Sequence, residues 1–270
     1  MSTITGPITG TAVITGASAG IGAVYAVRLA KRGHDLVLVA RDTARLEALA
    51  ERLRGETGVA IEVLPADLTA DADVTKVEQR LAAGDVGLLV NNAGISLNGS
   101  VLENGALEFT RIIALNVTAP TRLAAAAAKA FVAKGSGTIV NIASVLALAP
   151  ELFDGVYSGT KAYVLNLSQG MAAQLSDKGV RVQAVLPGAT RTEIWAKSGT
   201  DVDSFPEGFV MEVDDLVDAA LVGLDIGEVV TIPPLPDHGQ FEAMQAARRA
   251  MAPNLSRSAV AARYLQVEAA

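Results

Sequence analysis

TAVITGASAGIG, residues 11–22, joins an apolar β-branched run to a turn carrying Gly16, Gly20 and Gly22, and the AVYAVRLAKRG that follows has the apolar spacing of a helix. A strand turning this sharply into a helix needs glycine for the turn and for close approach of the backbone to a bound anion. The helix N-terminus receives a pyrophosphate through its free N–H groups and its dipole. A glycine-rich turn alone is weak evidence. Here a strand precedes it, a helix follows, and a second apolar run, LVLVA (36–40), begins about twenty residues on. The segment reads as the first strand–helix step of a nucleotide-binding sheet, with a tight structural turn as the alternative.

The alternation continues outward. TAVIT (11–15), LVLVA (36–40), IEVL (61–64), VGLLV (86–90), TIVNIA (138–143), VRVQAVL (180–186) and EVVTI (228–232) predict seven strands. Helical patterns lie near 20–32, 43–55, 71–83, 105–115, 119–134, 156–178 and 213–224. Strands apolar at nearly every position are buried on both faces. The expectation is an α/β fold, a Rossmann-type doubly wound parallel seven-stranded sheet with helices on both faces. The 270 residues read as a single domain: a core over about 11–232, a substrate loop over about 189–212 where the rhythm breaks, and a C-terminal extension over about 233–270.

Composition narrows the chemistry. A formal charge of −7 argues against nucleic acid as a partner, and the absence of cysteine removes thiol catalysis, disulfides and Cys-based metal sites. His34 and His238, too few and too far apart, suggest no metal centre; His34 in RGHD reads as a solvated loop histidine. MSTITGPITG lacks the basic and apolar regions of a secretory peptide, and the lysines in LAAAAAKAFVAK speak against a membrane span. A soluble, cytoplasmic protein is expected.

VYSGTKAYV (156–164) sets two tyrosines around one lysine. A phenol titrating near pH ~10 needs a nearby cation to work at neutrality. On a helix, Tyr157 and Lys161 are about 40° apart, whereas Tyr163 lies about 200° from Lys161 and points away. Only Tyr157 can be paired with the lysine. Ser144 ends the fifth strand, so it shares the carboxyl edge of the sheet with Tyr157 and the glycine turn.

The spacing G-x-x-x-G-x-G over Gly16–Gly22, with Asp67–Leu68, NNAG at 91–94, Asn116 in ALNV, the set Ser144, Tyr157 and Lys161, and Pro187–Gly188 with Thr192, resembles the classical short-chain dehydrogenase/reductase family over residues 11–192. The resemblance implies a nicotinamide dinucleotide bound by Gly16, Ser18, Gly20, Ile21, Gly22, Asp67, Leu68, Asn92, Ala93, Gly94, Tyr157, Lys161, Pro187, Gly188 and Thr192. It implies that Ser144 donates to a substrate carbonyl, that Tyr157 gives the proton, and that Lys161 lowers the phenol's pKa and holds the nicotinamide ribose. Asn116 would hold a water beside Lys161; a helix-capping or kink-filling asparagine is an equal reading of that residue. In oxidation Tyr157 would act as base. The NNAG amides also suit a structural role, tying adjacent loops together. The family commonly forms tetramers, so a homo-oligomer, tetramer or dimer, is expected.

The second strand ends VARD, with Ala40 where the family's NAD-binding members place an acid, followed by Arg41. A guanidinium suits a 2′-phosphate, so NADP(H) is expected over NAD(H), with Ser18 as a further donor; Asp42 could compete for Arg41. Val145, Leu146, Leu148, Leu152, Phe153, Trp195, Phe205 and Phe209 are candidate walls of an apolar substrate pocket, although core packing suits each of them nearly as well. Among these, Trp195 suggests an exposed residue closing over a ligand. The expected activity is interconversion of a ketone or aldehyde and an alcohol on a largely apolar small molecule. The alternatives are a catalytically silent nucleotide-binding regulator, an NAD-dependent alcohol dehydrogenase, and an isomerase or dehydratase without net oxidation.

Overall fold

In the computed structural model, which describes residues 9–97, 99, 101–193, 195 and 201–265, the glycine turn lies between β1 (Thr11–Thr15) and α1 (Gly20–Lys31). There follow β2 (Leu36–Ala40), α2 (Thr43–Thr57), β3 (Ile61–Pro65), α3 (Asp71–Leu81), β4 (Val86–Asn91), α4 (Ala106–Ile113), α5 (Ala119–Lys134), β5 (Gly137–Ile142), α6 (Gly155–Leu175), β6 (Val180–Val185), α7 (Val213–Asp225), β7 (Val230–Thr231) and α8 (His238–Ala250). The strands pair in parallel in the order β3-β2-β1-β4-β5-β6-β7. This is the doubly wound seven-stranded Rossmann-type sheet that the alternation predicts. The order reverses between β1 and β4, which opens a crevice at their carboxyl ends. Part of the expected substrate loop, at 194 and 196–200, and the last five residues of the extension lie outside the described residues.

Adjacent strand residues point to opposite faces, so both must be apolar when helices cover both. Ile14 packs on one face with Leu38, Val90 and Val185 against Tyr25 and Leu29 of α1, Leu46 and Leu53 of α2, and Leu216 and Leu221 of α7. Val13 packs on the other with Val39, Leu89 and Ile139 against Val77 and Leu81 of α3 and Leu123 and Phe131 of α5. The first and last helices of the first face are also joined by ion pairs, Arg28 to Asp214 (2.7 Å) and Asp218 (2.6 Å), and Arg32 to Asp225 (2.9 Å).

Departures from the sequence pattern have local causes. β3 is an edge strand, exposes Glu62, and ends at Pro65, which lacks a ladder donor. β7 is shorter than EVVTI because the Glu228 N–H bonds back to Gly223 O (2.9 Å) and its carboxylate accepts from Thr231 Oγ1 (2.7 Å), which makes Glu228 part of the turn ending α7. The expected gap between α4 and α5 is a π-helical turn, Ala114–Thr118. His34 is buried, not solvated: its Nδ1 lies 2.9 Å from Gly10 O, and the apolar start of β2 draws it beneath the segment entering β1.

By internal contacts the chain divides into two units, meeting at Pro234 and Leu235. The first holds the whole sheet. The second contains α8, whose N-terminus Asp237 caps by accepting from Gly239 N (2.8 Å), and two short 3-10 turns, Ala252–Asn254 and Ala262–Tyr264. Among the described residues no helix is long and apolar enough to cross a membrane.

Candidate active site

The crevice between β1 and β4 is built around a threonine that sequence reasoning passed over. Thr15 Oγ1 accepts from both Asn92 N (2.9 Å) and Ala93 N (3.0 Å), and the Asn92 amide returns to Thr15 O (2.9 Å) and Gly16 O (3.3 Å). Within a β-branched run, Thr15 reads as a strand former, so nothing in the sequence marked it. The glycines are required where they stand. Gly16 and Gly20 have φ of +68° and +54°, and a Cβ on Gly22 would lie 2.4 Å from Gly16 O and 2.5 Å from Asn92 Nδ2. Ser18 and Ile21 lie half-buried on the same turn. Asn91 has the structural role weighed for the NNAG amides: its Nδ2 donates to Asn141 Oδ1 (2.9 Å) and Pro120 O (3.2 Å).

At the end of β2, Asp42 does not take Arg41. It caps α2, accepting from Arg45 N (3.0 Å), and its other oxygen faces Arg45 Nε at 3.4 Å. Arg41 is exposed and, among the described residues, has no ion-pair partner. Beyond β3, Asp67 accepts from Thr69 N (3.0 Å) and Thr69 Oγ1 (2.8 Å); these bonds, with the charges of Arg41 and Arg111, hold its carboxyl below the usual range, and Leu68 beside it is buried.

The reacting side lies across the crevice. Ser144 is buried past β5, and its Oγ accepts from Leu146 N (3.2 Å). The next N–H, of Val145, donates to Pro187 O (2.9 Å), which joins this loop to the one after β6. Asp154 starts α6, its Oδ2 accepting from Tyr157 N (2.7 Å), so one cap holds the helix that carries both Tyr157 and Lys161. An Asp three residues before the tyrosine was a legible cap that sequence reasoning missed. Lys161 is buried, donates to Ile142 O (3.0 Å), and places Nζ 5.7 Å from the centroid of the Tyr157 ring. Gly94 completes the enclosure: a Cβ there would be 3.2 Å from Asn116 Oδ1 and 3.5 Å from Lys161 Nζ.

Burial drives these two groups apart in pKa. It pushes the phenol of Tyr157 up to about 12, with the nearby Ser144 hydroxyl acting in the opposite sense, and it pulls Lys161 down to about 8. Asn116 sits in the π-turn, where Nδ2 donates to Ile95 O (2.8 Å) and Thr160 Oγ1 (3.2 Å), and Oδ1 accepts from Ile95 N (2.9 Å). The kink-filling reading thus has a structural basis, and π-turns are frequent at functional sites. Tyr163 points away from Lys161, with its hydroxyl accepting from Thr121 Oγ1 (3.0 Å) on α5.

Of the apolar candidates, Phe153 stands edge-on to Tyr157 (5.9 Å between centroids) and is 43% exposed, while Leu146 is half-buried beside Ser144. Trp195 departs from expectation. It is half-buried, its Nε1 donates to Thr190 O (2.7 Å), and its ring meets Phe205 edge-on, with Phe205 stacked on Phe209. An indole N–H seeks an acceptor when enclosed, and here it finds one within its own loop. On the cofactor side of that loop Pro187 is buried, and Thr192 brings its methyl carbon 3.3 Å from where a Cβ of Gly20 would stand.

Residues 10–203 match the family model for short chain dehydrogenases. The chain belongs to the short-chain dehydrogenase family. Over 193 residues this short-chain dehydrogenase is 34% identical to 17-beta-hydroxysteroid dehydrogenase type 3 of Homo sapiens, covering 71% of the chain but 62% of that relative's length. An uncharacterized oxidoreductase of Staphylococcus saprophyticus is 32% identical over 185 residues, with 68% of this chain and 79% of that one covered. Among solved structures, a short-chain dehydrogenase from Sphingobium yanoikuyae in complex with NADPH superposes with a TM-score of 0.92 at 55% identity, covering 94% of this chain and 99% of that one. The bulky-bulky ketone specific alcohol dehydrogenase from Comamonas testosteroni superposes with a TM-score of 0.88 at 48% identity, covering 96% and 100%. The family's cofactor is a nicotinamide dinucleotide, and the residues here fit one: the turn at Gly16, Gly20 and Gly22 leaves open the cradle that side chains would fill.

Proposed function

We propose that the protein is an NADP(H)-dependent oxidoreductase interconverting a ketone or aldehyde and an alcohol on a largely apolar small molecule. The observation that carries this reading is the convergence of three groups at one sheet edge: Ser144 buried past β5, Tyr157 in the first turn of α6, and Lys161 one turn on with its Nζ 5.7 Å from the tyrosine ring. Ser144 keeps its hydroxyl hydrogen free of Leu146 N, to which it is an acceptor, and donates it to the substrate oxygen. Tyr157 gives its proton to that oxygen in reduction and takes it back in oxidation. Lys161 holds positive charge beside the phenol, and Asn116 maintains the chain around Lys161 through Ile95 and Thr160. The dinucleotide, when bound, supplies or accepts the hydride. Gly16, Ser18, Gly20, Ile21, Gly22, Asp67, Leu68, Asn92, Ala93, Gly94, Pro187, Gly188 and Thr192 would hold it.

Arg41 supports NADP(H) over NAD(H), because Asp42 is turned to Arg45 and leaves that guanidinium for a 2′-phosphate. The NADPH in the Sphingobium relative supports the same preference. A bulky ketone is supported by the specificity named for the Comamonas relative and by Leu146 and Phe153 beside Ser144 and Tyr157. A soluble, cytoplasmic homo-oligomer, dimer or tetramer, completes the proposal; Val132 of α5 and Tyr163 of α6 are exposed on helices available for such contact.

The test is a carbonyl panel followed by NADPH oxidation. Tyr157→Phe should cut turnover by about 10²–10⁴-fold while NADPH still binds by fluorescence titration. Undiminished turnover in that variant would remove the catalytic assignment. Arg41→Ala should lower the NADPH-over-NADH binding preference by about 10–100-fold, and an unchanged preference would remove the cofactor assignment.

A further inference from the structure

Four steps across the sheet separate β6 from β2, through β5, β4 and β1, about 19 Å at the usual ~4.8 Å between neighbouring strands. Yet Glu193, a short way past the end of β6, reaches the helix that follows β2: Arg45 Nη1 lies 2.8 Å from each of its carboxylate oxygens. The eight residues from Val185 to Glu193 can span at most about 26–29 Å, enough to reach directly but not to pass around the sheet. They cross the carboxyl ends of the intervening strands. On the way Thr192 brings its methyl carbon within 3.3 Å of where a Gly20 Cβ would stand, over the crevice between β1 and β4.

This strap is pinned just short of its far end. Thr190 bridges to Met211, Arg191 N donates to Met211 O (2.9 Å), and the Arg191 guanidinium pairs with Asp203 (2.7 Å) and Glu212 (2.9 Å). At the far end Arg45 is presented to Glu193 by Asp42, 3.4 Å from its Nε. A dinucleotide held by the glycine turn would lie beside Thr192 of this strap, and lifting of Thr192 and Glu193 would ease its exit.

We propose that Arg45 and Glu193 are cofactor-retention residues: their ion pair latches the strap over the bound dinucleotide and slows its release. The proposal rests on the reading of this crevice as the cofactor site, but not on which dinucleotide occupies it. Both side chains are about half exposed, so salt screens the pair and its strength is modest.

Release of NADPH and of NADH from the full chain, followed by stopped-flow fluorescence on a chase with excess oxidised cofactor, tests it. Glu193→Gln should release both about two- to five-fold faster than the parent at low salt. Raising salt from roughly 0.05 M to 1 M should speed the parent more than the variant, so that the two rates converge. The charge-swapped double variant, Arg45→Glu with Glu193→Arg, should restore slow release. Equal parent and Glu193→Gln rates at low salt would overturn the proposal. So would faster release of NADPH alone in Arg45→Gln with Glu193→Gln silent, which would assign Arg45 to the 2′-phosphate instead. Failure of Arg41→Ala to alter cofactor preference, by contrast, sinks the NADP(H) reading and leaves the latch to be decided by Glu193→Gln.

Discussion

Lys161 and Tyr157 are one helical turn apart, and burial moves them in opposite directions, one to about 8 and the other to about 12. For Lys161 the folded pKa lies below its unfolded value near ~10.4, so its contribution to stability is fully present above that value and is lost as pH falls through 8. Between those limits the unfolded chain binds more protons, and stability rises with pH by at most ~1.4 kcal/mol per unit. Tyr157 has the reverse sense: its contribution is full below pH ~10 and is lost as pH rises through 12. Urea denaturation of the cofactor-free protein from pH 7 to 10 should therefore show an upward slope in the parent relative to Lys161→Met. Parallel curves would mean that Lys161 is not held down by burial. The pairing of these two residues was legible in VYSGTKAYV, because helical spacing alone places them on one face. Their enclosure was not, and enclosure is what sets the pKa of the free protein. The expected lowering of the phenol by Lys161 does not emerge: burial dominates, and the influence in the lowering sense is Ser144.

The elements are positioned by joints that no strand or helix pattern displays. Thr15 satisfies two backbone N–H groups of the β4 loop, so Thr15→Val should leave both without an acceptor and cost about 1–3 kcal/mol or more in chemical denaturation, with weakened cofactor binding. Thr15→Ser should behave as the parent; equal losses in both variants would point to packing instead. Asp154→Ala removes the cap of α6 and should cost ~0.5–2 kcal/mol, whereas Asp154→Asn should retain most of that stability and of the activity. Reading the chain by periodicity recovered the strands and helices that face a core, since burial enforces the period. It failed at Trp195 and His34, whose acceptors no period displays: an indole satisfied by Thr190 within its own loop and an imidazole beside Gly10. The π-turn at Asn116 was equally hidden, because its insertion leaves the apolar pattern of α4 and α5 almost intact.

At the scale of the whole molecule, the parallel order follows from strands apolar on both faces, and that much was open to inspection from the first glycine turn onward. Sedimentation should give a multiple of the 27.7 kDa chain mass, and lysine at both Val132 and Tyr163 should shift it toward the monomer if α5 and α6 form the contact. The family match ends at residue 203, before α7 begins, yet α7 shares a core with α1 and is tied to it by Arg28 and Arg32. A fragment ending at 203 should accordingly bind a hydrophobic dye and lack a cooperative melt, and a sharp melt would show that the covering helix is dispensable. The same packing sets a waiting time during synthesis. Arg28 leaves the ribosome 190 residues ahead of Asp218, about 10–40 s at ordinary elongation rates of roughly 5–20 residues per second. For that interval the nascent chain carries the flank of α1 whose cover by α7 has not yet been translated.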